Sequence, residues 1–144
     1  MNDRIATAGI PHIFLNALRI VTGLLFMQHG AQKLFAIWGR EEAVEFLTQM
    51  WLAGVLEFFG GALIVVGLLT RPVAFVLAGE MAWAYFQVHF PQGWVPLVNR
   101  GELAALYAWV FLFLAANGGG AFSLDGLIAR RRVNDRAASS SDTS

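Results

Sequence analysis

The chain has 144 residues, of which 57 % are hydrophobic, and its ten Lys and Arg residues balance its ten Asp and Glu residues. Globular proteins contain roughly 45–50 % apolar residues even when Gly is counted, so this composition is typical of a membrane protein. The balanced charge gives no support to nucleic-acid binding. Since the chain has no cysteine, thiolate catalysis, Fe–S clusters and Cys-based zinc sites are excluded, and no metal site is predicted.

Four apolar runs follow one another along the chain, over residues 10–38, 51–69, 73–90 and 102–116. Backbone N–H and C=O groups in hydrocarbon need partners within the protein, so each run is predicted to be a membrane-spanning helix. Pro11 is predicted to lie in the first turn of the first helix, and Pro72 to close the second run at Arg71. We therefore expect an all-α fold, a membrane four-helix bundle.

The segments between the runs contain further signals. Val44, Leu47, Met50 and Trp51 lie at helical spacing opposite acidic residues, so residues 41–51 are predicted to form a short interfacial helix. Residues 90–101 contain two prolines and two glycines and are predicted to form a loop or a re-entrant turn. We expect residues 1–128 to form a single four-span domain. Residues 129–144 are expected to form a basic, then Ser-rich, disordered cytoplasmic tail.

The distribution of positive charge predicts the orientation in the membrane. Only Lys33, Arg40 and Arg100 lie on the side opposite the termini. Seven residues lie on the side of the termini: Arg4, Arg19, Arg71, Arg130, Arg131, Arg132 and Arg136. The positive-inside rule therefore predicts a multi-pass protein with both termini in the cytoplasm.

Counting along the helices at 1.5 Å per residue gives each polar residue a depth. Lys33 lies about 31 Å from the cytoplasmic end of the first helix, and Glu57 about 9 Å from the outer end of the second. Glu80 lies near the middle of the membrane. Five residues are predicted to converge on one site in the outer leaflet: His29, Lys33, Glu57, His89 and Glu102.

Lys33 follows His29 by one helical turn, so it can reach a carboxylate on a neighbouring helix, either Glu57 or Glu102. A carboxylate in hydrocarbon costs ~2.5–3.5 kcal/mol on insertion scales, which makes Glu57 and Glu80 functional-site hypotheses by default.

Structural roles are the alternative for each of these polar residues. Lys33 and Arg19 can extend to the membrane surfaces, and Arg19 can also cap carbonyl groups. The histidines and glutamates can serve only as hydrogen-bond partners in helix packing. Haem ligation by His29 and His89 is disfavoured, because both lie near one end of the bundle and nothing else marks a porphyrin slot.

The order and spacing of several short motifs carry a family resemblance across residues 15–128. They are LRIVTGLLFMQHGAQKLF (18–35), LEFFGGALIVVGLLTRP (56–72), HF (89–90) and GELAALYAWVFLFLAANGGGAFSLD (101–125). Together they resemble the DoxX family of small four-helix proteins of the bacterial inner membrane. The resemblance implies association with a quinone-reducing oxidoreductase or an oxidative-stress complex. It also implies a quinone-contacting role for Arg19, His29, Lys33, Glu57, His89 and Glu102.

Three functions remain open at this stage. The first is a membrane subunit that binds quinone or quinol, in which histidines donate to a carbonyl oxygen, Glu57 or Glu102 relays protons and Lys33 stabilises negative charge. Its electrons would come from a redox partner protein, since the chain shows no redox cofactor of its own. The second is a non-catalytic scaffold or anchor for a partner protein. The third is a proton-coupled transporter of small solutes that uses Glu80, with homo-oligomerisation building the path.

Overall fold

A computed structural model describes the backbone of residues 2–141 and the side chains of residue 9 and residues 11–136. Within these residues the fold is all-α, without a strand. The helices are α1 (Asn2–Phe35), α2 (Gln49–Val66), α3 (Thr70–Ala84), the one-turn α4 (Pro96–Asn99), α5 (Glu102–Asn117) and α6 (Leu124–Ser141). A π-helical segment, Leu56–Gly60, lies within α2. A second, Tyr85–His89, extends α3 and is followed by a 3₁₀ turn, Phe90–Gln92.

Glycines bring α1 and α2 close together. A Cβ atom at Gly30 would lie 2.6 Å from the carbonyl oxygen of Gly54, and one at Gly23 would lie 2.9 Å from the carbonyl oxygen of Gly61. Helices that cross at small residues bring their backbones into contact, which replaces the hydrophobic driving force that is missing in lipid. Gly30 and Gly23 therefore determine how α1 packs on α2.

The four long segments before α6 share one core. Phe26 of α1, Ile64 of α2, Leu77 of α3 and Phe111 of α5 are each at most 1 % exposed. The rings of Phe26 and Phe111 lie 4.8 Å apart in an edge-to-face arrangement, which is a favoured geometry for aromatic pairs. Helix α1 packs along α2, and α3 packs along α5; these are the two most extensive helix contacts in the described part of the chain.

Among the described residues, one helix, Gln49–Val66, is long and apolar enough to cross a membrane. Only 28 % of it is buried, whereas the core helix of a soluble protein would be mostly buried. The shorter helix Glu102–Asn117 is also apolar. Large apolar side chains face outward on the other long helices as well, among them Leu25, Phe75 and Trp109.

The helical bounds of the fourth apolar run are confirmed to within one residue, but the expectations for both prolines are wrong. Helix α1 begins at Asn2, so Pro11 lies inside it and not in its first turn. Helix α2 ends before Gly67, whose φ of 71° reverses the chain. Helix α3 then begins at Thr70, so Pro72 lies in its first turn and Arg71 is helical.

The interfacial helix predicted for residues 41–51 is also wrong. Residues 36–48 form an irregular loop, in which Leu47 has a φ of 62°. The N–H of Val44 donates to the carbonyl oxygen of Lys33 at 2.9 Å, which turns the loop back against α1. The helix starts only at Gln49, because the side chain of Thr48 accepts a hydrogen bond from the N–H of Trp51 and caps it.

The tail predicted to be disordered from residue 129 is helical instead, since α6 continues to Ser141. Arginine and alanine are frequent in its middle part, and both favour the helix. Arg130 also donates to the carbonyl oxygen of Ala121 at 2.9 Å, which ties the first turns of α6 to the preceding loop. Residues 142–144 of the predicted tail lie outside the described residues.

Candidate functional site

A cavity of about 830 Å³ lies between α2 and α3. Three charged side chains border it: Lys33, Glu57 and Glu80. Most of the remaining lining is apolar and comes from both helices, including Leu52, Leu56, Val76, Met81, Trp83 and Val88. Ligand sites in proteins combine largely apolar walls with a few placed polar groups, and this cavity has that composition.

An ion pair at the cavity joins α1 to α2. Lys33 Nζ donates a hydrogen bond to Glu57 Oε2, and Glu57 is only 3 % exposed. The pair lies one helical turn from the close crossing at Gly30, which holds the two backbones near each other. The sequence left two partners open for Lys33, and the structure confirms Glu57.

Glu80 is the third charged group, and it comes from α3. Both of its carboxyl oxygens are buried, and neither has a hydrogen-bond partner among the described residues. It lies within electrostatic range of Glu57 and Lys33. Burying a polar group without a hydrogen bond costs free energy, and burying an unpaired charge costs far more. Glu80 is therefore a buried polar group of this cavity whose hydrogen-bonding capacity is not satisfied by the described residues.

Both π-helical segments border the cavity. Leu56 and Glu57 belong to the segment in α2, and Gln87 and Val88 to the segment that extends α3. A π-helical turn holds extra chain, so it widens the helix and turns the side chains that follow it. Such segments occur frequently at functional sites.

The predicted convergence of five residues is only partly observed. His29 does not line the cavity; its ring packs edge-on against Tyr107 at 6.1 Å. His89 Nδ1 lies 3.0 Å from the carbonyl oxygen of Asn99, so it holds the loop before α5. Glu102 is exposed at the start of α5 and does not line the cavity. Lys33 and Glu57 therefore meet Glu80 at the cavity, without His29, His89 or Glu102.

Arg19 lies far from the cavity, 14 residues before Lys33 and so about 21 Å away along α1. It is 1 % exposed and donates to the carbonyl oxygens of Ile64, Val65 and Phe122. These carbonyls lie at the end of α2 and in the loop before α6, so Arg19 caps backbone groups there. Capping of carbonyl groups was one of the structural roles predicted for Arg19 from the sequence.

Asp125 lies at the same end of the molecule as Arg19. Its carboxylate accepts hydrogen bonds from the backbone N–H groups of Leu69 at 2.9 Å and Thr70 at 2.8 Å, which caps α3 from a distance in sequence. Partial burial raises the pKa of Asp125, but these hydrogen bonds and the charge of Arg19 outweigh burial and leave the pKa below its usual value.

Sequence reasoning missed most of the cavity wall, although one signal was available. Val76, Glu80, Trp83 and Gln87 follow one another at intervals of four, three and four residues, so they share one face of α3. A face with a carboxylate, an amide and an aromatic ring in an apolar helix differs from a plain lipid-facing stripe.

Comparison with known proteins decides the family. The family model DoxX matches residues 14–90. The chain belongs to the DoxX family. All of the residues that line the cavity, from Lys33 to Val88, lie within the matched DoxX region.

Three relatives match over most of their length. An uncharacterized protein of Haemophilus influenzae is 41 % identical over 78 % of this chain and 88 % of its own. The protein named "Putative oxidoreductase CatD" of Bacillus subtilis is 26 % identical over 81 % of this chain and 88 % of its own. Inner membrane protein YqjF of Escherichia coli is 32 % identical over 78 % of this chain and 90 % of its own. No solved structure matches the chain. Its membership of the DoxX family and its similarity to an inner membrane protein indicate that this DoxX protein is a membrane protein.

Proposed function

We propose that this protein is a membrane subunit that binds a quinone or quinol in the cavity between α2 and α3 and serves an electron-transfer or oxidative-stress complex. The observation that carries the proposal is the cavity itself, which has a volume of about 830 Å³, apolar walls and three charged residues. Sites for drug-sized ligands measure about 300–1,000 Å³, so the head of a quinone and part of its chain fit. The name of the Bacillus subtilis relative, an oxidoreductase, supports this class of function.

We also propose that α1, α2, α3 and α5 cross the bacterial inner membrane as a four-helix bundle with both termini in the cytoplasm. The arginine distribution supports this orientation, and the name of the Escherichia coli relative supports this membrane. In this orientation Lys33 lies near the outer end of α1 and Glu57 near the outer end of α2. The cavity then lies in the outer half of the bilayer, where a lipid-soluble ligand reaches it from the side.

The charged residues have separate tasks in this proposal. A bound quinone supplies a pair of carbonyl oxygens that accept electrons and protons. Lys33 places a positive charge beside the cavity and favours negative charge on a ligand oxygen. Glu57 holds the Lys33 ammonium in position through their ion pair. The electrons come from a redox partner protein.

A thermal-shift titration in detergent tests the proposal, with short-chain ubiquinone and menaquinone analogues as probes. We expect saturable stabilisation of about 2.7 kcal/mol when an analogue is present at 100 times its dissociation constant. Glu57→Gln should weaken it, because Lys33 loses its partner. Glu102→Gln is the matched control, since Glu102 is exposed and away from the cavity. A wild-type protein that shows no shift with either analogue would refute quinone binding.

A non-catalytic scaffold is the second candidate, and the buried ion pair favours it. Lys33 and Glu57 join α1 to α2, and a buried pair can specify one packing arrangement without binding any ligand. In that case Glu57→Gln lowers the melting temperature, and neither the wild type nor the variant responds to quinone. Purification with a bound partner protein would then be the informative experiment.

A further inference from the structure

Glu80 has a feature that helix packing does not explain. Its two carboxyl oxygens are buried without a hydrogen-bond donor among the described residues, yet the residue borders the cavity. The other buried carboxylate, Glu57, has Lys33 as its partner. A buried polar group without a partner costs about 1–3 kcal/mol, so such a group is expected to meet a ligand or a water molecule.

The charged and titratable groups that face Glu80 come from several helices. Lys33 of α1 and Glu57 of α2 lie within electrostatic range of it, and Tyr107 of α5 lies within range of Glu57. Lys33 donates its hydrogen bond to Glu57 and none to Glu80. A second ionised carboxylate beside this pair would have no cation of its own, whereas a neutral carboxyl group would not need one.

We propose that Glu80 is the residue that hydrogen-bonds the quinone: in its protonated form it donates its carboxyl proton to a ring carbonyl oxygen. This inference rests on the proposed function and identifies the group that recognises the ligand. The sequence predicted His29 and His89 as the hydrogen-bond donors to the quinone, but neither histidine borders the cavity. Glu80 takes this donor role in the present proposal. Lys33 and Glu57 remain a pair that leaves Glu80 without a hydrogen-bonded cation.

The proposal predicts how affinity depends on pH. Protonated Glu80 donates to the carbonyl of a quinone, whereas ionised Glu80 can only accept and would repel the carbonyl oxygen. The affinity for quinone should therefore fall as the pH rises through the titration of Glu80. A glutamine at this position keeps an N–H donor at every pH, so the dependence should disappear.

The test measures the affinity of a short-chain ubiquinone analogue over a pH series for wild type, Glu80→Gln, Glu80→Leu and Glu102→Gln. Glu80→Gln should bind at low pH about as well as the wild type and keep that affinity at high pH. Glu80→Leu should bind about 2- to 10-fold more weakly at low pH, the usual effect of one lost hydrogen bond. Glu102→Gln should reproduce the wild-type profile, because Glu102 lies outside the cavity.

Infrared difference spectra of the wild type give a second readout that needs no variant affinity. Addition of quinone should shift a carboxylic-acid C=O stretch, and that band should be missing in a folded Glu80→Gln protein. Quinone binding with an unchanged pH profile in Glu80→Gln, or with full affinity in Glu80→Leu, would overturn the role of Glu80 and leave the proposed function standing. An absence of binding in the wild type would overturn both.

Discussion

The crossing of α1 and α2 at Gly30 predicts a large effect of one methyl group. In Gly30→Ala the new Cβ would lie closer than 3.0 Å to three backbone atoms of α2, among them the carbonyl oxygen of Gly54 and Cα of Phe58. Overpacking typically costs 1–3 kcal/mol. Because the neighbours here are backbone atoms that cannot move easily, we expect a cost of about 3 kcal/mol. Alanine recovers about 1 kcal/mol of helix propensity, so the net destabilisation should be about 2 kcal/mol.

Gly9→Ala is the matched control, because a Cβ at Gly9 of the same helix meets nothing within 4 Å. That variant should gain up to about 1 kcal/mol from helix propensity alone. Equilibrium unfolding in mixed detergent micelles compares the two. Since Lys33 lies three residues after Gly30, separating the helices should also open the ion pair and weaken quinone binding. A Gly30→Ala protein as stable as Gly9→Ala would refute the close crossing.

Three further predictions concern charge and backbone geometry. Lys33→Met should cost about 3 kcal/mol by leaving Glu57 buried without its partner, and adding Glu57→Met should restore more than half of the loss, as a double-mutant cycle measures. Asp125→Ala should cost about 1 kcal/mol by removing the cap of α3. The folded-state pKa of Asp125 lies below its usual value. Asp125 therefore stabilises the fold fully at pH values above its usual pKa, and this stabilisation is lost as the pH falls through the folded-state pKa. Melting curves of the alanine variant should lack this acid-dependent loss, and equal losses in both proteins would exclude the cap. Gly67→Ala should cost more than about 2 kcal/mol, since its φ of 71° disfavours a side chain and a new Cβ would overlap the Cβ of Ser123; an unchanged melting temperature would contradict it.

Composition and hydrophobic runs predicted the helical segments well wherever strong breakers bound them. Helix α5 begins at Glu102 and ends at Asn117, just before three glycines, as the apolar run indicated. The loop around residues 41–51 was predicted wrongly, because its apolar spacing matched a helix while its backbone takes left-handed turns. Helical spacing alone does not reveal that Thr48 caps the next helix instead of continuing this one.

Depth along a helix was predictable, but direction around the helix axis was not. Counting residues placed Lys33 and Glu57 at a similar height, and they form the observed pair. The same count placed Glu102 at that height, yet Glu102 is exposed on α5. Which side chains meet depends on how each helix is rotated and which helix it contacts, and both follow from tertiary packing. Height in the membrane is therefore necessary for a shared site but not sufficient.

The directions in which side chains point around the axes of α2 and α3 have a local cause. This cause is not visible in a pattern with a 3.6-residue period. Each helix carries a π-helical segment at the cavity, Leu56–Gly60 in one and Tyr85–His89 after the other. A π turn delays the rotation of the residues beyond it, so an ideal helical wheel for residues 49–66 misassigns the faces on either side of Glu57. The segment also includes Gly60, which packs against Leu77 of α3 at a distance that leaves no room for a Cβ. The same stretch of chain thus sets both the direction of Glu57 and the spacing of the two helices that enclose the cavity.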